Sequence, residues 1–187
     1  CTGHGVPGAM VSVVCNNGLN RSVREYGLLS PNEILDKTRE IVIQEFDKSE
    51  EVVSDGMDIS LCCIDLESKE LQWSGANNAL IIIRAGELIE VKPDKQPIGK
   101  YVNAQPFTNH QLSLQKDDVI YAFTDGFHDQ FGGEKGKKFK SSNLKAFLLS
   151  IQHLAMKEQK IKLHNCFTEW SGDLEQVDDV CLIGVRI

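Results

Sequence analysis

Four short strand patterns joined by very short segments, over residues 57–92, constrain the fold more than any other feature of the sequence. Parallel strands need a crossover of a dozen or more residues, whereas antiparallel strands can be joined by a tight turn. The short spacers therefore predict hairpins and an antiparallel sheet. The predicted strands cover residues 57–65, 70–74, 79–85 and 88–92, with spacers at 67–69, 75–78 and 85–87.

Helical patterns precede and follow these strands. A small, apolar stretch near the start predicts a buried helix over residues 7–17. Ser30 and Glu33, with Pro31 between them, form the pattern of a capping box, which predicts an amphipathic helix that runs to about Asp47. This order of helices, strands and further helices predicts the α+β class. The remaining predicted elements are strands at 108–114, 118–124 and 180–187, and helices at 142–156 and 159–171.

Composition and charge exclude several classes of protein. The chain has 187 residues and a net charge of -7, which fits one domain and gives no basic surface for nucleic acid. No apolar run approaches the ~18 residues of a membrane span, so a cytoplasmic protein without a membrane segment is expected. Six cysteines without a CxxC pair favour buried thiols of a reducing compartment over disulfides or a zinc site.

Acidic residues stand where predicted strands begin or end. Asp125 follows the strand pattern at 118–124 and precedes Gly126, and the pair Asp178 and Asp179 precedes the last strand. Each of these alone fits an ordinary turn or loop end. Together with a glycine-rich entry to the first helix, they describe hard oxygen ligands on separate elements, the kind that Mg²⁺ or Mn²⁺ prefers.

These motifs, taken in order, resemble those of the metal-dependent protein phosphatases, and more closely the bacterial SpoIIE-like serine phosphatases. The resemblance extends over residues 1–187, and the TDG and DD elements carry most of it. A cysteine-based phosphatase would need a thiolate in a loop of backbone donors with an arginine, whereas the one Cys-x5-Arg spacing, Cys15 to Arg21, begins inside the predicted buried helix. The matching segments are residues 1–9 (CTGHGVPGA), 55–61 (DGMDISL), 121–129 (YAFTDGFHD) and 176–180 (QVDDV).

The resemblance implies a fold and a reaction. The fold is an α-β-β-α sandwich of two antiparallel sheets flanked by helices. The reaction is hydrolysis of phosphoserine or phosphothreonine in a protein, without a phosphoenzyme, by water activated by two Mn²⁺ or Mg²⁺ ions. The implied setting is bacterial signal transduction, with an upstream sensor domain and a phosphorylated anti-sigma-factor antagonist as substrate.

The resemblance also implies a set of metal ligands. Asp125 matches the family's ligand after the strand, and Asp178 matches the ligand before the final strand. Asp179 is the alternative, although relatives often carry Asn at its position. The Cys1 carbonyl oxygen matches a further ligand. Asp58 stands where relatives often carry Thr, and two interpretations stay open: contact with a metal-bound water, or a solvent-facing acid at the start of a strand.

Other polar residues near these motifs admit two interpretations each. His4 is a candidate general acid, but a turn residue that supports the helix start is favoured, because the family's histidine falls at a different offset. Asn77 or Asn78 either helps to shape the cleft or only makes a turn. Residues 132–133 with 137–138 form either a mobile flap over substrate or a solvated loop.

The first motif departs from the family pattern because its aspartate would precede Cys1. A second carboxylate and the first strands of the sheets would also lie upstream. We therefore expect residues 1–187 to be the C-terminal majority of a single SpoIIE-like phosphatase domain, with the first strands missing. A fragment of this kind is expected to be weak or inactive, and its unpaired sheet edges favour a homodimer.

Two other functions stay open. The first alternative is a degenerate phosphatase that binds a phosphoprotein or dimerises without turnover. The second is an acidic metal-binding scaffold that releases no phosphate. An aspartate immediately before Cys1 would favour the enzyme, whereas Gly, Asn or Ser there would favour the binding module.

Overall fold

The computed structural model describes residues 1, 5–47 and 56–187. They form two compact units, Cys1–Ala79 with Lys92–Leu114, and Leu80–Val91 with Gln115–Ile187. In chain order the elements are α1 Gly5–Arg24, α2 Pro31–Phe46, β1 Ile59–Ile64, β2 Glu70–Ala76, β3 Leu80–Arg84, β4 Glu87–Val91, β5 His110–Ser113, β6 Val119–Phe123, α3 Gly126–Asp129, β7 Phe131–Gly132, β8 Lys137–Lys138, α4 Ser141–Ile151, α5 Met156–Ser171 and β9 Leu182–Arg186. The α+β class with antiparallel sheets is thereby confirmed.

In the first unit, α1 is longer than predicted and is not buried on all sides. Val11 and Cys15 lie in the core, whereas Met10 and Val13 are more than half exposed. The predicted buried helix was therefore wrong in extent and in burial, because the apolar composition hid a one-sided pattern. Among the described residues, no helix has the length and apolar character needed to cross a membrane.

The second helix, α2, begins and ends close to the predicted residues. Ser30 is its N-cap and Pro31 its first residue, but the Ser30 side chain makes no capping hydrogen bond. The predicted capping box is therefore wrong, although the Ile34 N–H does bind the Ser30 carbonyl oxygen at 3.0 Å. The helix ends at Phe46, next to the predicted end.

The strands of the first unit form a three-stranded antiparallel sheet in the order β1-β2-β5. Trp73 is fully buried in this sheet, and its indole N–H donates to the Ser60 hydroxyl at 2.7 Å. The apolar core joins this sheet to both helices, with Leu35, Val42 and Ala76 among its fully buried members.

The strands of the second unit form a four-stranded antiparallel sheet in the order β4-β3-β6-β9. The prediction that the four strands of residues 57–92 form one sheet joined by hairpins is therefore wrong: β2 pairs with β1 and β5, whereas β3 pairs with β4 and β6. The end of β2 is held by Asp94, whose N–H binds the Gly75 oxygen at 3.0 Å and whose oxygen accepts the Asn77 N–H at 2.9 Å. Gly75–Asn77 therefore binds a distant residue and does not fold back as a hairpin.

Three helices, of which α3 is a single turn, and a small hairpin complete the second unit. The core packs Tyr121 and Ile83 of the sheet against Leu144 and Leu148 of α4 and Leu163 of α5. The break between α4 and α5 falls earlier than predicted. The buried side chain of Gln159 stabilises this break, because its Nε2 donates to the Gln152 and Leu154 carbonyl oxygens at 3.2 and 3.0 Å.

The segment predicted as either a mobile flap or a solvated loop, residues 132–133 with 137–138, is instead part of the β7–β8 hairpin. Gly132 is required there because a Cβ atom would lie 1.8 Å from the Trp170 carbonyl oxygen. The Gly133 N–H donates to the same oxygen at 2.9 Å. The paired glycines therefore fasten the hairpin to the end of α5.

The cysteines only partly match the prediction. All six are free, and Cys15 alone among them is buried. Cys1, Cys63 and Cys181 are exposed, so the expectation of buried thiols was wrong for these three.

Candidate functional site

Two of the predicted acidic segments lie at one end of the four-stranded sheet. Strands β6 and β9 are antiparallel neighbours, and Phe123 pairs with Leu182. The chain leaving β6 therefore meets the chain entering β9. Asp125 lies on the first of these segments, and the pair Asp178–Asp179 lies on the second.

The Thr124 side chain joins the two segments directly. Its hydroxyl donates to the Asp179 carbonyl oxygen at 2.9 Å and accepts the Cys181 N–H at 3.0 Å. The Thr124 N–H also donates to the Cys181 oxygen at 3.0 Å. Thr124 thus extends the pairing of β6 and β9 beyond the strands, up to the acidic residues.

Gly126 allows the closest approach between the segments. A Cβ atom at this position would lie 2.5 Å from the Asp179 carbonyl oxygen and 3.2 Å from the Asp178 oxygen. Real Cβ atoms do not approach backbone oxygen this closely, because the contact is deep in the repulsive range. The glycine after Asp125 therefore meets a packing requirement, in addition to any turn that it makes.

All three carboxylate-bearing residues are exposed. Asp125 is the N-cap of the single-turn helix α3, but its side chain does not cap that helix. The Asp178 carboxylate accepts the N–H of Asp179 at 2.7 Å, and the Gln176 side chain donates to the Asp178 carbonyl oxygen at 2.7 Å. The Asp178 side chain is thus locally oriented, whereas Asp125 keeps its carboxylate away from the helix N–H groups.

A histidine that sequence reasoning passed over lies on α3. Burial lowers the pKa of His128, and the nearby carboxylates of Asp129 and Asp125 only partly oppose this effect. Its ring stands edge-on to Phe123 with 6.1 Å between the centroids. Asp129 forms an ion pair with Lys138 at 2.9 Å. The lowered pKa favours the uncharged imidazole, whose Nδ1 is buried without a hydrogen-bond partner among the described residues.

A second residue that sequence reasoning passed over, Gln130, binds the chain that leads to Asp178. Its side chain contacts the main chain of Glu175 and Val177. No local pattern marks it, because its partners are 45 and 47 residues away in sequence.

The remaining predicted site residues lie in the other compact unit or outside the described residues. Cys1 is exposed. Asp58 is also exposed, and its carboxylate accepts the Asn77 side-chain N–H at 2.8 Å. Asn77 has a positive φ of 58°, and the Asn78 N–H binds the Ala76 oxygen at 2.7 Å, so both asparagines make the turn after β2. His4 and Asp55 lie outside the described residues.

The donor chemistry of the acidic end fits a hard divalent cation. Exposed carboxylates on two segments in contact provide oxygen ligands of the kind that Mg²⁺ and Mn²⁺ take. Within residues 1, 5–47 and 56–187, no group of three or more His, Cys, Asp or Glu side chains is arranged to hold a metal ion.

Comparison with known proteins places the chain among phosphatase domains. The family model for Stage II sporulation protein E (SpoIIE) matches residues 1–187. The SiaA-PP2C domain of Pseudomonas aeruginosa is similar over 100% of this chain and 73% of that chain, with 27% sequence identity and a TM-score of 0.89. None of the curated protein sequences matches the chain significantly.

Two further solved structures share the fold at lower identity. One contains the RsbU and RsbW domains of a Mycobacterium tuberculosis protein, at 17% identity and a TM-score of 0.75, with 99% of this chain and 49% of that chain covered. The other is the PP2C phosphatase domain with a fragment of the regulatory domain of SpoIIE from Bacillus subtilis. It is 17% identical with a TM-score of 0.74, and 100% of this chain and 52% of that chain are covered. The chain thus spans about half the length of these two.

Proposed function

Because the chain belongs to the SpoIIE family, PP2C-type phosphatase domains of bacterial signalling regulators, we propose that it is a metal-dependent protein phosphatase acting on phosphoserine and phosphothreonine. The observation that carries the proposal is the contact between the two acidic segments. The Thr124 hydroxyl and Gly126 bring the main chain of Asp125 and that of Asp178–Asp179 together at one sheet end.

Charge favours a cation-dependent reaction at this end of the sheet. A phosphate group carries nearly two negative charges at pH 7. Three exposed carboxylates would repel it, because like charges at short range raise the free energy of the complex. The site therefore suits a phosphate only when divalent cations lie between the carboxylates and the substrate.

The ligands that we propose are Asp125 and Asp178, with Asp179 as the alternative to Asp178 and the Cys1 carbonyl oxygen as a further donor. Asp58 is a candidate contact to a coordinated water. Two Mn²⁺ or Mg²⁺ ions would supply Lewis-acid activation of water and charge neutralisation at the phosphate. The chain itself holds the main chain of the two acidic segments together, through the Thr124 hydrogen bonds and the neighbouring strands.

The proposed substrate is a phosphorylated protein. The acidic residues are exposed, so a phosphorylated side chain on a folded partner can reach them. The resemblance to SpoIIE-like phosphatases supports an anti-sigma-factor antagonist as the substrate and an upstream sensor domain in the same protein. We also propose that residues 1–187 are the C-terminal majority of one phosphatase domain. The 73% coverage of the SiaA-PP2C domain supports this assignment.

The test is Mn²⁺-dependent phosphate release by the full-length natural protein. Substrates are p-nitrophenyl phosphate and a protein that carries phosphoserine. Replacing a direct ligand is expected to cost at least as much as the ~10–100-fold loss that follows changes to outer-shell partners. Asp125→Asn and Asp178→Asn should therefore each lower kcat/KM by about 100-fold or more. Asp173→Asn, at an exposed residue outside the site, is the matched control.

Two results would contradict this function in different ways. Unchanged activity in both site variants would overturn the ligand assignment. A wild-type protein that binds the phosphoprotein but releases no phosphate with Mn²⁺ or Mg²⁺ would support the binding-module alternative.

A further inference from the structure

Gln130 is a fully buried amide located directly after α3, between the two acidic segments. A buried amide is costly unless its polar atoms are hydrogen-bonded. Here the side-chain Nε2 donates to the Glu175 carbonyl oxygen at 3.0 Å and to the Phe131 oxygen at 3.1 Å. The side-chain Oε1 accepts the Val177 N–H at 3.2 Å. Both the donor and the acceptor of the side-chain amide are therefore hydrogen-bonded.

The partners of Gln130 belong to the loop that leads into β9. Glu175 and Val177 are exposed residues of a segment without regular structure, and Asp178 follows immediately. Main-chain groups of such a segment are otherwise free to bond to water. The Gln130 amide binds one acceptor and one donor on this loop and so fixes two points of its path just before Asp178.

Gln130 is itself held firmly by the surrounding structure. Its carbonyl oxygen accepts the Trp170 indole N–H at 3.0 Å and the Phe139 N–H at 2.9 Å. The hairpin after it is fastened to Trp170 through Gly132 and Gly133. Because Gln130 is anchored in this way, its side chain can hold the loop that it binds in one position.

We propose that Gln130 is a positioning residue for the acidic site, which sets where Asp178 lies relative to Asp125. It follows α3, whose N-cap is Asp125, and it binds the residue that precedes Asp178. The proposal rests on the proposed function, because it assigns a role in holding the ligands of that site. Outer-shell partners of this kind usually change metal affinity or activity by ~10–100-fold when they are replaced.

The chain offers a matched control for a purely structural role. Gln159 is also a fully buried glutamine of the same unit, and its Nε2 also donates to two main-chain oxygens of a loop, those of Gln152 and Leu154. That loop joins α4 to α5 and does not lead to the acidic residues. The Gln159 Oε1 accepts the Tyr121 hydroxyl, whereas the Gln130 Oε1 accepts the Val177 N–H. Gln130→Met and Gln159→Met thus each remove a buried amide with three hydrogen bonds, but only Gln130→Met removes contacts to the loop before Asp178.

The experiment uses the full-length natural protein and three measurements on each variant. Hydrogen exchange detected by mass spectrometry reports the order of residues 175–179, calorimetry reports the Kd for Mn²⁺, and steady-state kinetics separate kcat from KM. Gln130→Met is expected to increase exchange in this segment, to raise the Kd by ~10-fold or more, and to lower kcat with a smaller change in KM. Gln159→Met is expected to leave the exchange of residues 175–179 and the Kd unchanged.

Gln130→Asn and Gln159→Asn repeat the comparison with the amide kept but shortened, in case a methionine variant does not fold. Equal effects of the Gln130 and Gln159 variants on Kd and kcat would overturn the positioning role while wild-type activity upholds the proposed function. Faster exchange at 175–179 with unchanged Kd and kcat would also overturn it. A wild type that neither binds Mn²⁺ nor releases phosphate would overturn the proposed function and, with it, this role.

Discussion

The hydroxyl of Thr124 donates to the carbonyl oxygen of Asp179 over 2.9 Å, across a sequence separation of 55 residues. The same oxygen atom of Thr124 accepts the Cys181 N–H. One side chain therefore bonds to the main chain on both sides of residue 180. Replacing it removes two contacts that no other side chain duplicates in the described region.

We expect Thr124→Val to lower both stability and activity. Valine has the shape of threonine but no hydroxyl, so the Cys181 N–H loses its acceptor, at a cost of about 1–2 kcal/mol in the free energy of unfolding. Thr124→Ser keeps the hydroxyl and should lie close to wild type. Urea denaturation and Mn²⁺-dependent phosphate release provide the measurements. Equal stability of the valine and serine variants would contradict the role of the hydroxyl.

A methyl group at residue 126 should displace the second acidic segment. In Gly126→Ala, the new Cβ would meet the Asp179 carbonyl oxygen at 2.5 Å, and backbone on both sides must shift. Overpacking of this kind usually costs ~1–3 kcal/mol. The comparison is Gly184→Ala, whose Cβ meets the movable end of the Met156 side chain at 2.7 Å. Thermal unfolding and phosphate release should show a larger loss for Gly126→Ala, and the reverse order would refute the argument.

The ion pair at the opposite end of β6 should give the protein an acid-sensitive stability. The Asp118 carboxylate is buried and binds the Arg84 guanidinium through two oxygens, at 2.7 and 3.0 Å, and the Gln115 N–H at 2.8 Å. Burial alone would raise the pKa of Asp118, but the Arg84 and Gln115 hydrogen bonds outweigh it and hold the pKa below its ordinary value.

Because the folded-state pKa is lowered, the stabilisation is complete above the unfolded pKa of about 4 and is lost as the pH falls through the folded value. Asp118→Asn should therefore cost about 2 kcal/mol at pH 7, with a difference from wild type that shrinks below about pH 4. Denaturant titrations from pH 7 to pH 3 measure this. A difference that does not change over this range would show that the charge is irrelevant.

Two adjacent cysteines of β1 should differ in reactivity. Burial, with a smaller contribution from Cys63, raises the pKa of Cys62 to about 11. At pH 8 only ~0.1% of such a thiol is thiolate, the form that reacts. Cys63 is exposed. Iodoacetamide should modify Cys63 well before Cys62, as read by peptide mass mapping, and equal rates would contradict the assigned burial.

The hairpins of the fold follow from sequence because their determinants are local. Short spacers predict β1–β2 and β3–β4, and both form. The spacer between β2 and β3 is also short, yet it connects different sheets. What distinguishes it is the contact with Asp94, a residue that lies well beyond both strands in the chain and that no local pattern identifies.

In the candidate site, too, some features follow from local sequence patterns and others depend on residues that are distant in sequence. The positions of Asp125 and Asp178 at strand ends follow from the strand patterns, and their meeting follows from the pairing of β6 with β9. The sequence did not indicate the role of Gln130. Gln130 acts through hydrogen bonds to a loop that is remote in sequence. A lone glutamine after a short helix belongs to no periodic pattern that would identify it.

The contact between Thr124 and Asp179 has a consequence for the order in which the protein folds. It closes a loop that contains the hairpin, α4 and α5, and loops of this length close at an entropic cost that local contacts do not bear. During synthesis, Asp125 emerges long before Asp179, and the two acidic segments cannot meet until residue 179 has left the ribosome.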